Sequence, residues 1–140
     1  MINIKLIYIS IFFSILLFIT FPNSQATPSK LIDVFINEDI IRYSIDLEFG
    51  PDGNLYVSSH YTNQILRFDG TTGEFIDIFA SGGGLDLPVE FVFGPDDNLY
   101  VGSIIGEEIL LYDGKTGEFF DVFISEEFLT RPFGLVFGPD

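Results

Sequence analysis

Hydrophobic residues after position 30 come in short runs, and each run is bounded by glycine, proline, aspartate or asparagine. None of these runs has the three-to-four-residue spacing of an amphipathic helix, whereas short apolar runs between turn-forming residues are typical of β-strands. The pattern therefore predicts an all-β fold. The predicted strands cover residues 45–49, 55–59, 64–68, 74–80, 89–93, 99–103, 108–112 and 118–124.

The predicted strands recur with a period of 44 residues. The tetrapeptide Phe-Gly-Pro-Asp occurs at residues 49–52, 93–96 and 137–140. Residues 49–92 match residues 93–136 at 23 of 44 positions without a gap. Self-similarity at a period of this size is typical of proteins built from stacked units, and middle strands such as residues 55–57 are apolar on both faces, as stacked sheets require. Four antiparallel strands per repeat predict the blade of a β-propeller.

The repeat register continues beyond the two complete repeats. Residues 31–36 match a fourth strand and residues 133–137 match a first strand, so we expect them to belong to different blades. A ring of six such blades needs about 260 residues. The sequence therefore predicts about two complete blades of a six-bladed ring and part of a longer protein. The partial propeller over residues 27–140 divides into residues 31–48, repeats 49–92 and 93–136, and the start of a further repeat at 137–140.

The first 26 residues predict an export signal. Lys5 precedes an apolar run over residues 6–21, Pro22 follows the run, and small residues lead to Ala26. This order is typical of a signal peptide, with cleavage after Ala26. An uncleaved anchor is the alternative, although a membrane span takes about 20 apolar residues and this run is shorter. The sequence predicts a secreted, periplasmic or extracellular protein with no membrane span after cleavage.

The charge of the chain limits its partners. It contains 21 acidic and six basic residues, for a formal net charge of −15, and it has no cysteine. A surface this acidic repels nucleic acids and anionic membranes. Without disulfides, an exported domain depends on its apolar core, which the 17 phenylalanines can supply.

Two stretches of the chain resemble the NHL-type repeat. They are Phe-Gly-Pro-Asp-Gly-Asn-Leu-Tyr-Val at residues 49–57, with Ile-Leu-Arg-Phe-Asp at 65–69, and Pro-Phe-Gly-Leu-Val-Phe-Gly-Pro-Asp at 132–140. The chain is also similar to blades of six-bladed TolB-like propellers, which include gluconolactonase-like and streptogramin-lyase-like proteins. The resemblance covers nearly all of residues 31–140 and implies a propeller. It does not imply one function, because this scaffold carries enzymes, ligand-binding modules and interaction platforms.

Three residues are candidates for ligand binding at a rim or channel of such a ring: His60, Asp46 and Glu90. His60 is the only histidine and lies in a predicted loop, where the next repeat has Ile104. Its simplest interpretation is a solvated loop residue. Asp46 and Glu90 occupy equivalent positions on first strands, where the next repeat has Gly134. Their oxygens would suit calcium or magnesium, but two carboxylates do not make a site, and we assign no catalytic residue, metal or cofactor.

The expected function is therefore an exported interaction or ligand-binding module, with a protein, small molecule or carbohydrate as its partner. The alternative is a lactonase- or lyase-like enzyme whose catalytic residues lie in further blades. The resemblance to streptogramin-lyase-like enzymes implies a pair of histidines with a metal, and this chain has one histidine. A third possibility is self-association, in which two-blade chains assemble into a ring of three and cover the apolar faces that two blades alone would expose.

Overall fold

The computed structural model describes Ile36, residues 39–125 and residues 129–138. The predicted export signal, its cleavage after Ala26 and nearly all of the predicted strand at 31–36 lie outside these residues. Within them, the fold consists of two four-stranded antiparallel sheets and one short 3-10 turn, which confirms the all-β prediction. No helix in this part of the chain has the length and apolarity needed to cross a membrane.

Each sheet is formed by four consecutive strands, and their order in the sheet is the same as their order in the sequence. The first sheet contains β1 (Ser44–Phe49), β2 (Leu55–Ser59), β3 (Gln64–Phe68) and β4 (Phe75–Ser81). The second contains β5 (Pro88–Phe93), β6 (Leu99–Ser103), β7 (Glu108–Tyr112) and β8 (Phe119–Ser125). All eight predicted strands of the two repeats are confirmed, and no bound differs from its prediction by more than one residue.

The predicted strand at residues 133–137 is wrong, because these residues form no ladder with a neighbour. A strand needs a hydrogen-bonded partner. The equivalent strands β1 and β5 each pair with the strand that follows them in sequence. Neither of the two described sheets includes residues 133–137.

The repeated Phe-Gly-Pro-Asp motif forms a turn that holds a tyrosine in place. The Asp52 carboxylate accepts the backbone N–H of Asn54 at 3.0 Å, the Asn54 side-chain amide at 2.7 Å and the Tyr56 hydroxyl at 3.1 Å. Gly50 is required because a Cβ there would lie 2.5 Å from the Tyr56 ring. The second repeat forms the same bonds at Asp96, Asn98 and Tyr100.

The two faces of each sheet differ, because successive side chains of a strand point to opposite sides. We call the face that carries Tyr56, Arg67 and Asp77 the tyrosine face of the first sheet. Its counterpart on the second sheet carries Tyr100, Leu111 and Asp121. The opposite face of each sheet is the leucine face, which carries Leu55 and Val57 in the first sheet and Leu99 and Val101 in the second.

The hydrophobic core lies between the tyrosine face of the first sheet and the leucine face of the second. The Tyr56 ring meets Phe79 and Phe93 edge-on, with ring centroids 4.9 Å away in each case. Burial of these large apolar side chains is the main source of stability in a chain without disulfides. The buried members of this core are Tyr56, Ile65, Phe79, Ala80, Leu85, Phe91, Leu99, Val101, Leu110 and Tyr112.

Candidate functional site

The two ends of the sheets carry loops of different chemistry. One end holds the hairpin turns. There, aspartates such as Asp113 accept hydrogen bonds at 2.8–2.9 Å from the backbone N–H groups of later residues in the same turn. The other end, which we call the β2–β3 end, holds the 3-10 turn His60–Thr62 and the connection from β4 to β5. Because the hairpin aspartates already satisfy their own turns, the β2–β3 end is the better candidate for a functional site.

A β-bulge near the start of β1 directs Asp46 toward the second sheet. The bulge places Ile45 and Asp46 opposite Ser58, whose hydroxyl accepts their backbone N–H groups at 3.2 and 2.8 Å. The Asp46 carboxylate accepts the N–H of Phe91 on β5 at 3.1 Å and the N–H of Leu47 at 2.8 Å. Asp46 therefore joins the first strands of the two sheets.

Glu90 makes the equivalent hydrogen bond one repeat later, since its carboxylate accepts the N–H of Leu135 at 3.2 Å. Burial raises the pKa of Asp46; the Phe91 and Leu47 N–H groups partly offset this, and the charge of Glu90 raises it further. Of these causes of the raised pKa, the charge of Glu90 is the smallest. In the part of the chain that the structure describes, no group of three or more His, Asp or Glu side chains is arranged to hold a metal ion.

Glu48, on the same strand as Asp46 and within reach of its charge, is a third carboxylate, and the sequence analysis did not identify it as a candidate. Burial raises the pKa of Glu48, the N–H of Phe93 partly offsets this, and the charge of Asp46 raises it further. One of its oxygens, Oε2, is buried without a hydrogen-bond partner among the described residues. A buried acceptor of this kind costs stability when the group is charged.

Glu48→Gln is expected to stabilise the protein at pH 7 by a few tenths of a kcal/mol to about 1 kcal/mol, a small effect because the group is partly exposed. The folded-state pKa of Glu48 is raised, so its contribution to stability falls as pH rises from the unfolded value of about 4.5. The gain should therefore vanish below pH 4, where the carboxyl is protonated in both states. Urea unfolding at pH 4 and pH 7 measures the difference.

The matched control for this prediction is Glu118→Gln, which removes the same charge from an exposed turn before β8. This control measures how much of the gain in stability comes from the smaller net negative charge of the whole chain. If the two variants gain the same stability at pH 7, the local explanation for Glu48 is wrong.

His60 is buried, so its interpretation as a solvated loop residue is wrong. Its side chain is 8% exposed, and its Nδ1 lies 2.9 Å from the carbonyl oxygen of Pro88. Because a carbonyl can only accept, Nδ1 carries the hydrogen and donates it. The imidazole also packs against Tyr43 and Tyr61, with ring centroids 5.7 and 5.2 Å away. His60 is the buried residue of this turn, and it lies against Pro88, the first residue of β5.

Asn63 makes the second link between this turn and the start of β5. Its backbone has φ 58°, in the left-handed region that asparagine tolerates. Its side-chain oxygen accepts the N–H of Leu87 at 2.9 Å, and its amide donates to Asp86 at 3.1 Å. The next repeat has Ile104 and Glu107 in place of His60 and Asn63. These repeat-breaking polar residues therefore serve to join the first sheet to the second.

Two exposed tyrosines lie over His60, and the sequence analysis missed them. The side chains of Tyr43 and Tyr61 are 42% and 66% exposed, with ring centroids 5.1 Å apart and planes tilted by 31°. We call them the Tyr43–Tyr61 platform. The equivalent residues of the next repeat are Leu87 and Ile105. The signal that could have identified the platform is this replacement of aromatic by aliphatic residues between repeats.

No protein-family model matches the chain, and no curated protein matches it. The resemblance to NHL-type repeats therefore stays a prediction that rests on the residues quoted for it. The structure supports the coarser description, two repeated four-stranded sheets with matching strand order. Any function has to be argued from the β2–β3 end itself.

Proposed function

We propose that this chain is an exported module of a six-bladed, NHL-like β-propeller, and that it binds a ligand at its β2–β3 end. Three observations support the blade architecture. The two sheets have the same strand order, the same bulge near the start of the first strand, and tyrosine face packed on leucine face. Asp46 joins β1 to β5, so the first strands of the two sheets lie side by side, as the inner strands of neighbouring blades do.

The observation that carries the binding function is the Tyr43–Tyr61 platform. Exposed aromatic side chains that cluster are costly in water and mark interaction sites. Tyrosine combines a rigid apolar ring with a hydroxyl that can form a hydrogen bond, and it loses little conformational entropy on binding. Repeat structure does not require these rings, since Leu87 and Ile105 take the same places in the next repeat.

His60 gives the platform its rigidity. The buried imidazole is fixed by its bond to Pro88 and supports both tyrosine rings. Tyr43 has φ 58°, a conformation that its repeat equivalents share, which fixes the backbone below its ring. A preorganised aromatic surface favours a ligand with a flat apolar side and polar groups at its rim. Carbohydrates and extended peptides have this chemistry, and we place the carbohydrate first.

Tyr61→Trp provides a direct test, because the chain has no other tryptophan and its emission would report the platform alone. Titration with soluble oligosaccharides, cellohexaose and chitohexaose, should give a saturable change in emission. Tyr43→Ala in the same background should abolish the response, since it removes the second ring. Phe120→Trp, an exposed position on β8, is the matched control. An equal response from the control, or no response to either oligosaccharide, would contradict the proposal.

A further inference from the structure

A cleft with a volume of about 320 Å³ lies at the hairpin-turn end, where turns of the two sheets meet. The β1–β2 turn contributes Pro51 and Asp52, the β5–β6 turn contributes Asp97, and the β7–β8 turn contributes Gly114 and Lys115. This volume is near the lower end of the range for ligand pockets, about 300–1,000 Å³. The cleft therefore has room for one small molecule.

Two of these lining residues differ from their repeat equivalents, and both are charged. Asp97 and Lys115 stand where the first repeat has Gly53 and Thr71, whereas the other lining residues are the same in both repeats. The turns fold alike with or without these charges. Gly53 and Asp97 have φ 80° and 62°, and the N–H groups of Thr71 and Lys115 each donate to the aspartate of their turn at 2.8 and 2.9 Å. Turn formation therefore does not explain the two charges.

Backbone contacts fix the two charged turns relative to each other. A Cβ on Gly114 would lie 1.6 Å from the carbonyl oxygen of Asp97, so the turns touch through main-chain atoms. The Gly114 N–H also donates to the side-chain oxygen of Asn98 at 3.3 Å. The backbone that carries Asp97 and Lys115 is therefore held in place before any ligand binds, which lowers the cost of binding.

Neither charge has an ion-pair partner in the part of the chain that the structure describes. The ion pairs there are those of Arg67, with Asp77 and with Asp52 at 3.9 Å. Asp52 is further occupied by the hydrogen bonds of its own turn. The cleft thus offers one ammonium group, on Lys115, and one carboxylate, on Asp97, for contact with a ligand.

These opposite charges favour a zwitterion. Its carboxylate would bind Lys115 and its ammonium group would bind Asp97 through charge-assisted hydrogen bonds. A simple anion would be repelled by the two cleft carboxylates and by a chain with a net charge of −15, and a simple cation by Lys115. The ring of Pro51 gives an apolar side chain of the ligand a surface to pack on.

We propose that this cleft binds a free α-amino acid with an apolar side chain, held by Lys115, Asp97 and Pro51. The site goes beyond the binding function proposed above. It lies at the opposite end of the sheets from the Tyr43–Tyr61 platform and does not depend on it.

The test is a titration of the full chain with L-leucine, followed by nitrogen–proton correlation NMR. The backbone amides of Asp97, Gly114 and Lys115 should shift and saturate. Leucinamide lacks the carboxylate, and N-acetyl-leucine lacks the ammonium group. Each should bind at least about tenfold more weakly than leucine, since each loses one hydrogen bond between charged groups.

The first repeat supplies the matched variants, Lys115→Thr and Asp97→Gly, which restore residues that the same turn already carries there. Lys115→Thr should weaken leucine binding about tenfold and leave leucinamide unchanged. Asp97→Gly should weaken leucine to a similar degree and leave N-acetyl-leucine unchanged. Glu107→Gln, an exposed position at the β2–β3 end, is the control for net charge and should change neither.

The proposal is overturned if leucine causes no saturable shift, if the three ligands bind equally well, or if both cleft variants bind leucine like the original chain. It is also overturned if the shifts occur at Tyr43 and Tyr61 instead. Oligosaccharide titration of the Tyr61→Trp variant is a separate measurement at the other end of the sheets, so either proposal can fail without the other.

Discussion

Tyr56→Ala is expected to lower the free energy of unfolding by about 3–5 kcal/mol, the range observed for truncation of large buried aromatic residues. Tyr56 is buried between the two sheets and meets Phe79 and Phe93 edge-on at 4.9 Å. Its hydroxyl donates to Asp52 at 3.1 Å. Truncation removes both ring contacts, leaves a cavity between rigid sheets, and frees the turn aspartate. Urea unfolding followed by far-ultraviolet circular dichroism measures the loss.

The repeat provides a matched control for this prediction in Tyr100→Ala. Tyr100 has the same hydroxyl bond, to Asp96 at 3.1 Å, and two similar edge-on contacts, with Phe123 and Phe137. Both of these phenylalanines are partly exposed, so they can move into the space that the ring leaves. We expect a cost of about half that of Tyr56→Ala, since the cost depends on how far a site can collapse. Equal costs would contradict the view that the second tyrosine face is open.

The elements that the sequence predicted well are those determined by residues close together in the chain. The turn that starts with Gly50 depends on Asp52, Asn54 and Tyr56, all within one short motif. Turn chemistry of this kind is local, and the chain contains the complete motif twice, 44 residues apart. Strand bounds followed from these turns, which is why they agree with the structure to within one residue.

The candidate site could be predicted only in part, because its contacts join residues that are distant in sequence. Burial of His60 depends on Pro88, which is 28 residues away, and no local pattern indicates that contact. Asp46 and Glu90 were recognised as equivalent positions, but their bonds reach the next repeat, 45 residues further along the chain. The Tyr43–Tyr61 platform forms only when the turn after β2 folds over the start of β1.

Residues 133–137 show a different limit of sequence patterns. They repeat the apolar pattern of β1 and β5, and they occupy the equivalent place against Tyr100. A periodic pattern indicates which face a segment can bury, whereas a strand also requires a partner for its backbone groups. The predicted strand is therefore wrong, although Phe137 contacts Tyr100 as Phe93 contacts Tyr56.

Gly70→Ala is expected to destabilise the protein by about 3 kcal/mol, at the upper end of the usual cost of overpacking. A Cβ on Gly70 would lie 1.8 Å from the carbonyl oxygen of Gly53 and 3.0 Å from its carbon. The two hairpin turns of the first sheet touch at this point through backbone atoms, which cannot move aside as a side chain can. The substitution must separate the turn before β2 from the turn before β4, and thermal unfolding would show a large fall in Tm.

Gly53→Asp is the matched control, since it changes the other glycine of the same contact. Gly53 has φ 80°, and a Cβ added there would meet no atom within 4 Å, so space is available and only the backbone conformation is strained. The second repeat already has aspartate in this place, Asp97, with φ 62°. Aspartate tolerates this conformation and also reduces the entropy of the unfolded chain, so we expect a change of less than about 1 kcal/mol. If Gly70→Ala proves as mild as Gly53→Asp, the hairpin turns do not pack through their backbones, and glycine at this repeat position would reflect turn conformation alone.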